Sequence, residues 1–244
     1  MPKQVSTEPA ILKVNGKEVS LPVLVGSEKE VGIDISKLRE TTGAIAVDIG
    51  FGNTGSAYSS ITYLDGDAGV LRYRGYPIEA LSEKSSFLEV AYLLIYGELP
   101  TQEQYKSWEY SIRTHSMINE DIKKYYDAWP HTAHPMALLS SVVGAMSTFY
   151  VDCLNPFDAR QVEIAIHRLM AKMPTVAAYA YKKSVGQPYM YPRNSLHYLP
   201  NFLRMMFGTP ADEYEVDDDV SKALEQLFIL HADHEQNCST STVR

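Results

Sequence analysis

Pro77 divides this 244-residue chain into two kinds of sequence, and that division limits what it can fold into. Before it, short β-like runs alternate with glycine turns: Ile11-Leu12-Lys13-Val14, the turn Asn15-Gly16, then Glu18 to Leu24. Ile45-Ala46-Val47-Asp48, Ser60 to Leu64 and Gly69 to Arg74 continue the style, the last two joined by Asp65-Gly66-Asp67. Asn-Gly between alternating runs is a hairpin signal, so residues 1–76 are expected to form a small β-rich domain. After Pro77, helix signals take over and predict a helical portion over 77–244. Phe87 to Tyr96 is apolar and closes at Gly97, with Pro100 beyond. Thr101 with Gln104 makes a capping box for a helix to about His115, and Asn119 can cap the next, through Trp129. Met136 to Tyr150 is apolar nearly all round, with Gly144 and Ala145 allowing close approach, which predicts a buried central helix. Asp158 to Lys172 should be a helix broken at Met173-Pro174, with Thr175 to Val185 continuing to a stop at Gly186. Asn201 to Phe207 and Val220 to His234 complete the set, and Asp217-Asp218-Asp219 sits where a helix N-terminus welcomes negative charge.

Composition narrows the function classes. With 45% hydrophobic and 21% charged residues the chain is ordinary for a globular protein with one large core. A net charge of −8 gives no general electrostatic reason to bind nucleic acid or an anionic membrane. The amino terminus lacks a signal-peptide core and no run of about 18 apolar residues occurs, so neither export nor a membrane span is expected. Cys153 and Cys238 stand far apart without CxxC spacing, which argues against a disulfide framework or thiolate zinc and makes a reduced, cytoplasmic setting the default. Gly50-Phe51-Gly52-Asn53-Thr54-Gly55 fits GxGxxG, but no helix-forming stretch follows, so a dinucleotide fold is rejected. There is no phosphate-binding GxxxxGK[ST] loop and no Gly-x-Ser-x-Gly nucleophile elbow.

Three places can carry chemistry. His231 and His234, at i and i+3 on the expected helix, have Asp233, Glu235 and Asn237 close by. Such a pair can bind a metal, pack structurally or grip a small anion. The HxxHE order is not the HExxH zinc arrangement and no third Cys or His ligand is in reach, which favours the anion. The proline-bounded loop Gly186 to Asn194 presents two tyrosines, Arg193 and an amide; it can line a site or simply link helices with Arg193 capping a carboxyl terminus. Arg168 and Lys172, one helical turn apart, can clamp a phosphate or form a solvated face.

Several multi-residue segments, in order, carry a family resemblance: Leu64 to Ile78, His134-Pro135-Met136, Lys172-Met173-Pro174-Thr175, Gly186-Gln187-Pro188 with Tyr191-Pro192-Arg193-Asn194, and His231-Ala232-Asp233-His234-Glu235-Gln236-Asn237. Together they resemble bacterial citrate synthase of the longer, hexamer-forming type II, over essentially all 244 residues. The resemblance implies a mainly α, multihelical fold with a small N-terminal β-rich domain, incomplete at the C-terminus. It implies condensation of acetyl-CoA with oxaloacetate and hydrolysis of citryl-CoA, with acetyl-CoA as co-substrate, no tightly bound cofactor and no metal, in a homodimer or hexamer when full length. By the same resemblance His234 helps hold oxaloacetate, Asn237 lies in the substrate-facing stretch and His231 supports it.

The family's later segments are a Gly-Pro-x-His-Gly histidine, a Gly-x-Gly-His histidine, an aspartate base and substrate arginines, and none occurs here. The sequence therefore reads as an amino-terminal portion, expected to be inactive alone, because proton abstraction beside a thioester needs a placed base and enol stabilisation. In some members NADH inhibits at a site resembling His115, Met117, Tyr150, Arg168 and Lys172, although Thr114 stands where an arginine and Ala211 where a cysteine would be expected. Two alternatives stay open: 2-methylcitrate synthase using propionyl-CoA, and a non-catalytic partner of an intact synthase.

Overall fold

A computed structural model describes residues 4–55, 57–237 and 242; Cys238 lies outside them. The chain packs as two units, Met1–Ser60 and Ile61–Arg244.

In the first unit, β1 (Gln4–Val5), β4 (Val23–Val25) and β5 (Val31–Ile33) form one antiparallel sheet in the order β1-β4-β5. β2 (Ala10–Val14) and β3 (Lys17–Leu21) form the hairpin promised by Asn15-Gly16, whose φ values of 53° and 73° are the left-handed pair a type I′ turn needs. The expected run Glu18 to Leu24 is instead divided at Pro22: a proline cannot donate to a ladder, and the chain changes sheet there. Val19 and Leu21 pack on Leu38 of α1 (Leu38–Thr42), a small core. Ile45 to Asp48 is not a strand; Val47 is 80% exposed, and β-propensity without a pairing partner does not make a strand.

The second unit opens with a meander, β6 (Thr62–Asp65), β7 (Val70–Tyr73) and β8 (Tyr76–Pro77). The helices follow: α2 (Ile78–Lys84), α3 (Phe87–Tyr96), α4 (Gln102–Thr114), α5 (Lys123–Ala128), α6 (Pro135–Phe149), α7 (Ala159–Ser184), α8 (Tyr198–Phe207) and α9 (Asp218–Leu230). Secondary structure changes at Pro77, whereas packing parts earlier, at Ser60, because Tyr73 of the meander belongs to a core shared with α2, α3 and α9. Local signals place many boundaries. Gly97 ends α3 at φ 94°, and both arms of the Thr101–Gln104 capping box are made. Asp217 caps α9 by accepting from the amides of Asp219 and Val220 at 2.9 and 3.0 Å.

Three expectations need correction. Pro174 does not break α7. A proline at this position withholds an N–H from the carbonyl of Met170, and the Tyr198 hydroxyl donates to that carbonyl instead at 2.9 Å, so the helix runs on. α6 is not buried all round: Leu138, Val142 and Met146 are in the core, while Met136 is 61% exposed and Ser140, Ser141, Gly144 and Ser147 face outward. α9 ends at Leu230, so the two histidines lie beyond it.

Candidate functional site

The carboxyl end of α9 is fixed by its buried face. Ile229 is fully buried among Tyr73, Ile78, Leu81, Val90 and Leu93, a burial that stabilises by roughly 1.5–3 kcal/mol for the isoleucine alone. His231 forms the C-cap with φ −110° and ψ 11°, and the chain turns. Residues 231–237 are therefore a turn set on a helix end rather than one helical face.

That turn is held from behind by the meander. Thr62 and Tyr73 are direct partners in the β6–β7 register, so their side chains stand together on one face. The Thr62 hydroxyl donates to the Asp233 carboxylate. The Asp233 amide donates to the Tyr73 hydroxyl at 3.3 Å, and that hydroxyl donates to the Asp233 carbonyl at 3.2 Å. Burial pushes the Tyr73 phenol above its usual range, so it remains a donor throughout ordinary pH. Asp233 also accepts from the Glu235 amide at 3.3 Å, and Glu235 sits in the left-handed region at φ 65°. An unstrained chain avoids that conformation for a residue with a Cβ; here the hydrogen-bonded Asp233 over-determines it.

What the turn displays is polar and accessible. His231, His234, Glu235, Gln236 and Asn237 are all exposed. The imidazoles of His231 and His234 lie 5.6 Å apart at 49°. His231 donates from Nδ1 to the Leu227 carbonyl at 2.8 Å; a carbonyl can only accept, so Nδ1 holds the proton and Nε2 is left outward. With Nδ1 engaged, Nε2 is the ring nitrogen that His231 turns toward a ligand. The pair is suited to an anion. Among the described residues no three His, Cys, Asp or Glu converge as metal ligands.

The second group of candidates comes together around the Tyr150 ring. Arg168 lies over it with Cζ 4.6 Å from the centroid, and Lys172 with Nζ 5.1 Å away. Arg168 is not a free phosphate clamp: it pairs two-pronged with Asp152 at 2.6 and 3.1 Å and donates to Cys153 Sγ at 3.0 Å. Lys172 is buried rather than solvated. Its ammonium donates to the His115 carbonyl at 2.7 Å and to the Met117 carbonyl. Burial, with Arg168 nearby, pushes its pKa down to about 8.

The Gly186–Asn194 loop is exposed at both ends and anchored in the middle. Tyr189 stacks on Tyr179 at 4.6 Å and Met190 is buried. Among the described residues Arg193 caps no helix end; it forks onto Glu213. Sequence reasoning missed Thr62 and Tyr73, the residues that position the histidine turn. Their signal was alternation on facing strands, visible only once the hairpin register is known.

Compared with known proteins, residues 50–244 match the family described as citrate synthase, C-terminal domain. Citrate synthase 1 of Mycobacterium tuberculosis is 57% identical over 235 residues, 96% of this chain and 54% of that protein. The citrate synthase of Corynebacterium glutamicum is 52% identical over the same shares, 96% and 54%. The chain thus spans about half the length of these curated relatives. Among solved structures, the citrate synthase of Thermotoga maritima aligns with TM-score 0.66 at 31% identity, over 80% of this chain and 49% of that one. The citrate synthase of Thermoplasma acidophilum, solved in a ternary complex with carboxymethyl coenzyme A and oxaloacetate, shares the fold with TM-score 0.72 at 22% identity over 80% and 50%.

Proposed function

The chain belongs to the citrate synthase family, and on that premise we propose that it forms part of a transferase that condenses acetyl-CoA with oxaloacetate and hydrolyses citryl-CoA to citrate and CoA. The observation that carries the reading is the exposed pair His231 and His234 on a turn anchored from behind by Tyr73 and Thr62. In this reading His234 donates to a carboxylate of oxaloacetate, and His231, its tautomer set by Leu227, adds a second charge-assisted bond when protonated. Asn237 supplies an amide beside them. Acetyl-CoA enters as co-substrate rather than as a resident cofactor.

The base that removes the acetyl proton and the groups that stabilise the enol come from outside these 244 residues, so the isolated chain forms no citrate. The order of its motifs supports the finer reading: an amino-terminal portion of the longer bacterial type, its 1–76 region the small β-rich domain, working in the cytoplasm as a homodimer or hexamer when full length. No described helix is long and apolar enough to cross a membrane.

NADH control belongs to the same proposal. It is supported by the gathering of Arg168 and Lys172 over Tyr150, with Lys172 tied to the His115 and Met117 carbonyls. Because Arg168 is already engaged, an incoming phosphate must displace Asp152. D152N therefore strengthens NADH binding, and a full-length protein whose NADH fluorescence never changes contradicts the assignment.

The direct test assays the full-length chain and the 244-residue chain with oxaloacetate and either acetyl-CoA or propionyl-CoA. Citrate from the full-length chain alone is the expected result. Preference for propionyl-CoA points to 2-methylcitrate synthesis, inactivity of both chains points to a non-catalytic partner, and turnover by the 244-residue chain overturns the division of labour.

A further inference from the structure

A cavity of about 300 Å³ lies between α8 and the segment that leads into α9, and it shares no residue with the histidine turn or with the Tyr150 cluster. Its charges do not balance. Arg193, Arg204 and Glu213 all line it. Glu213 is already held in the two-pronged fork of Arg193. Arg204 is only 6% exposed, yet the one hydrogen bond its side chain makes among the described residues is from Nη1 to the Tyr191 carbonyl at 2.9 Å. A guanidinium carries five N–H donors. Two cations thus share one carboxylate, and the more deeply buried cation is left without an ion pair among the described residues.

Burying a charge without a counter-charge is unfavourable, and an ordinary structural arginine answers that cost with a carboxylate of its own. Burial and the neighbouring Arg193 push the Arg204 pKa down, and the shared Glu213, which acts in the opposite direction, does not cancel them. His197 is turned to a different partner, Glu109, at 2.6 Å. Asp218, the other acid on the wall, begins α9 and is exposed. Leu196 and Tyr214 give the cavity an apolar side.

We propose that this cavity binds a small organic oxyanion, its carboxylate or phosphate group in the fork of Arg204 and its apolar body against Leu196 and Tyr214. A planar oxyanion meets the guanidinium fork two-pronged, which gives direction as well as strength. It is a second ligand site and stands whether or not the histidine turn binds oxaloacetate.

The test is calorimetric titration of the full chain with inorganic phosphate and, separately, with succinate. Saturable binding of either supports the site, and the probe that binds more tightly says whether a phosphate or a carboxylate is its natural group. R204Q is expected to weaken that binding about tenfold or more, the scale of one charge-assisted hydrogen bond. E213Q, which releases Arg193 toward the cavity, is expected to tighten it about threefold or more, on the scale of an ion-pair partner released into a partly solvated site. If R204Q does not fold, E213Q decides alone: tightening supports the site and unchanged affinity overturns it. Saturable binding that R204Q leaves unaltered means that the ligand sits elsewhere, and absence of saturable binding with both probes likewise overturns the proposal.

Discussion

The histidine turn and the Tyr150 cluster both gather charged or polar side chains at the end of a helix, but they distribute burial in opposite ways. At the turn the imidazoles are exposed, and the buried group is Tyr73, whose hydroxyl bonds the backbone behind them. In the cluster the cation itself is buried, and Lys172 directs its N–H groups at the backbone of residues 115 and 117. The first arrangement leaves its donors available to a ligand while holding their position. The second makes the ammonium a strut, so any ligand must share it with the chain. Exposure thus separates groups ready to bind from groups already in use, even where the residue types look equally suited to anions.

The contrast can be broken most severely at Tyr73. Y73A removes a fully buried ring from the core beneath α9, and is expected to cost about 3–5 kcal/mol in urea unfolding. Y73F keeps the ring and loses only the hydroxyl that serves Asp233, for about 1 kcal/mol. Faster amide exchange confined to residues near 233 in Y73F would sharpen the comparison, and unchanged exchange there would remove Tyr73 as the anchor.

The strut reading of Lys172 makes a prediction in pH. An unfolded lysine keeps its proton to near the ordinary value of 10.5, whereas the buried one releases it near 8. Between these values the unfolded chain binds the extra proton, so folding stability rises with pH. The stability gap between the wild type and K172M should widen by roughly 2 kcal/mol from pH 7 to pH 10. A gap that stays constant would mean that the ammonium is not held in a dehydrated place.

A smaller effect tests how α7 carries Arg168 and Lys172 past its internal proline. Y198F leaves the Met170 carbonyl without its donor and should cost about 1 kcal/mol. In a P174A background the helix supplies an N–H again, and the same change should cost clearly less. Equal costs in the two backgrounds would show that Tyr198 does not substitute for the missing amide.

These particulars also show what was legible in the sequence. The Asn15-Gly16 hairpin, the Gly97 stop and the Thr101–Gln104 box were readable because each is satisfied within a few residues. Pro174 was misread because the hydroxyl that answers it belongs to Tyr198, 28 residues beyond the Met170 carbonyl it serves. The cluster His231 to Asn237 was visible as a concentration of imidazoles, acids and amides, yet its shape was not, since the helix ends at Leu230 and Thr62 and Tyr73 set the turn. The outward face of α6 was hidden for a related reason: its run of small and apolar residues read as buried all round, while only Leu138, Val142 and Met146 are fully buried in the core. The role of Arg193 depended on Glu213, which no local pattern joins to it.

The central claim is that the turn offers His234 to oxaloacetate while Tyr73 holds the backbone from behind. Calorimetric titration of oxaloacetate into full-length wild type, H234A and Y73F tests it most directly. The account predicts that H234A binds about tenfold or more weakly, the loss of a charge-assisted hydrogen bond, and that Y73F falls between H234A and wild type. Wild-type affinity in H234A would contradict it.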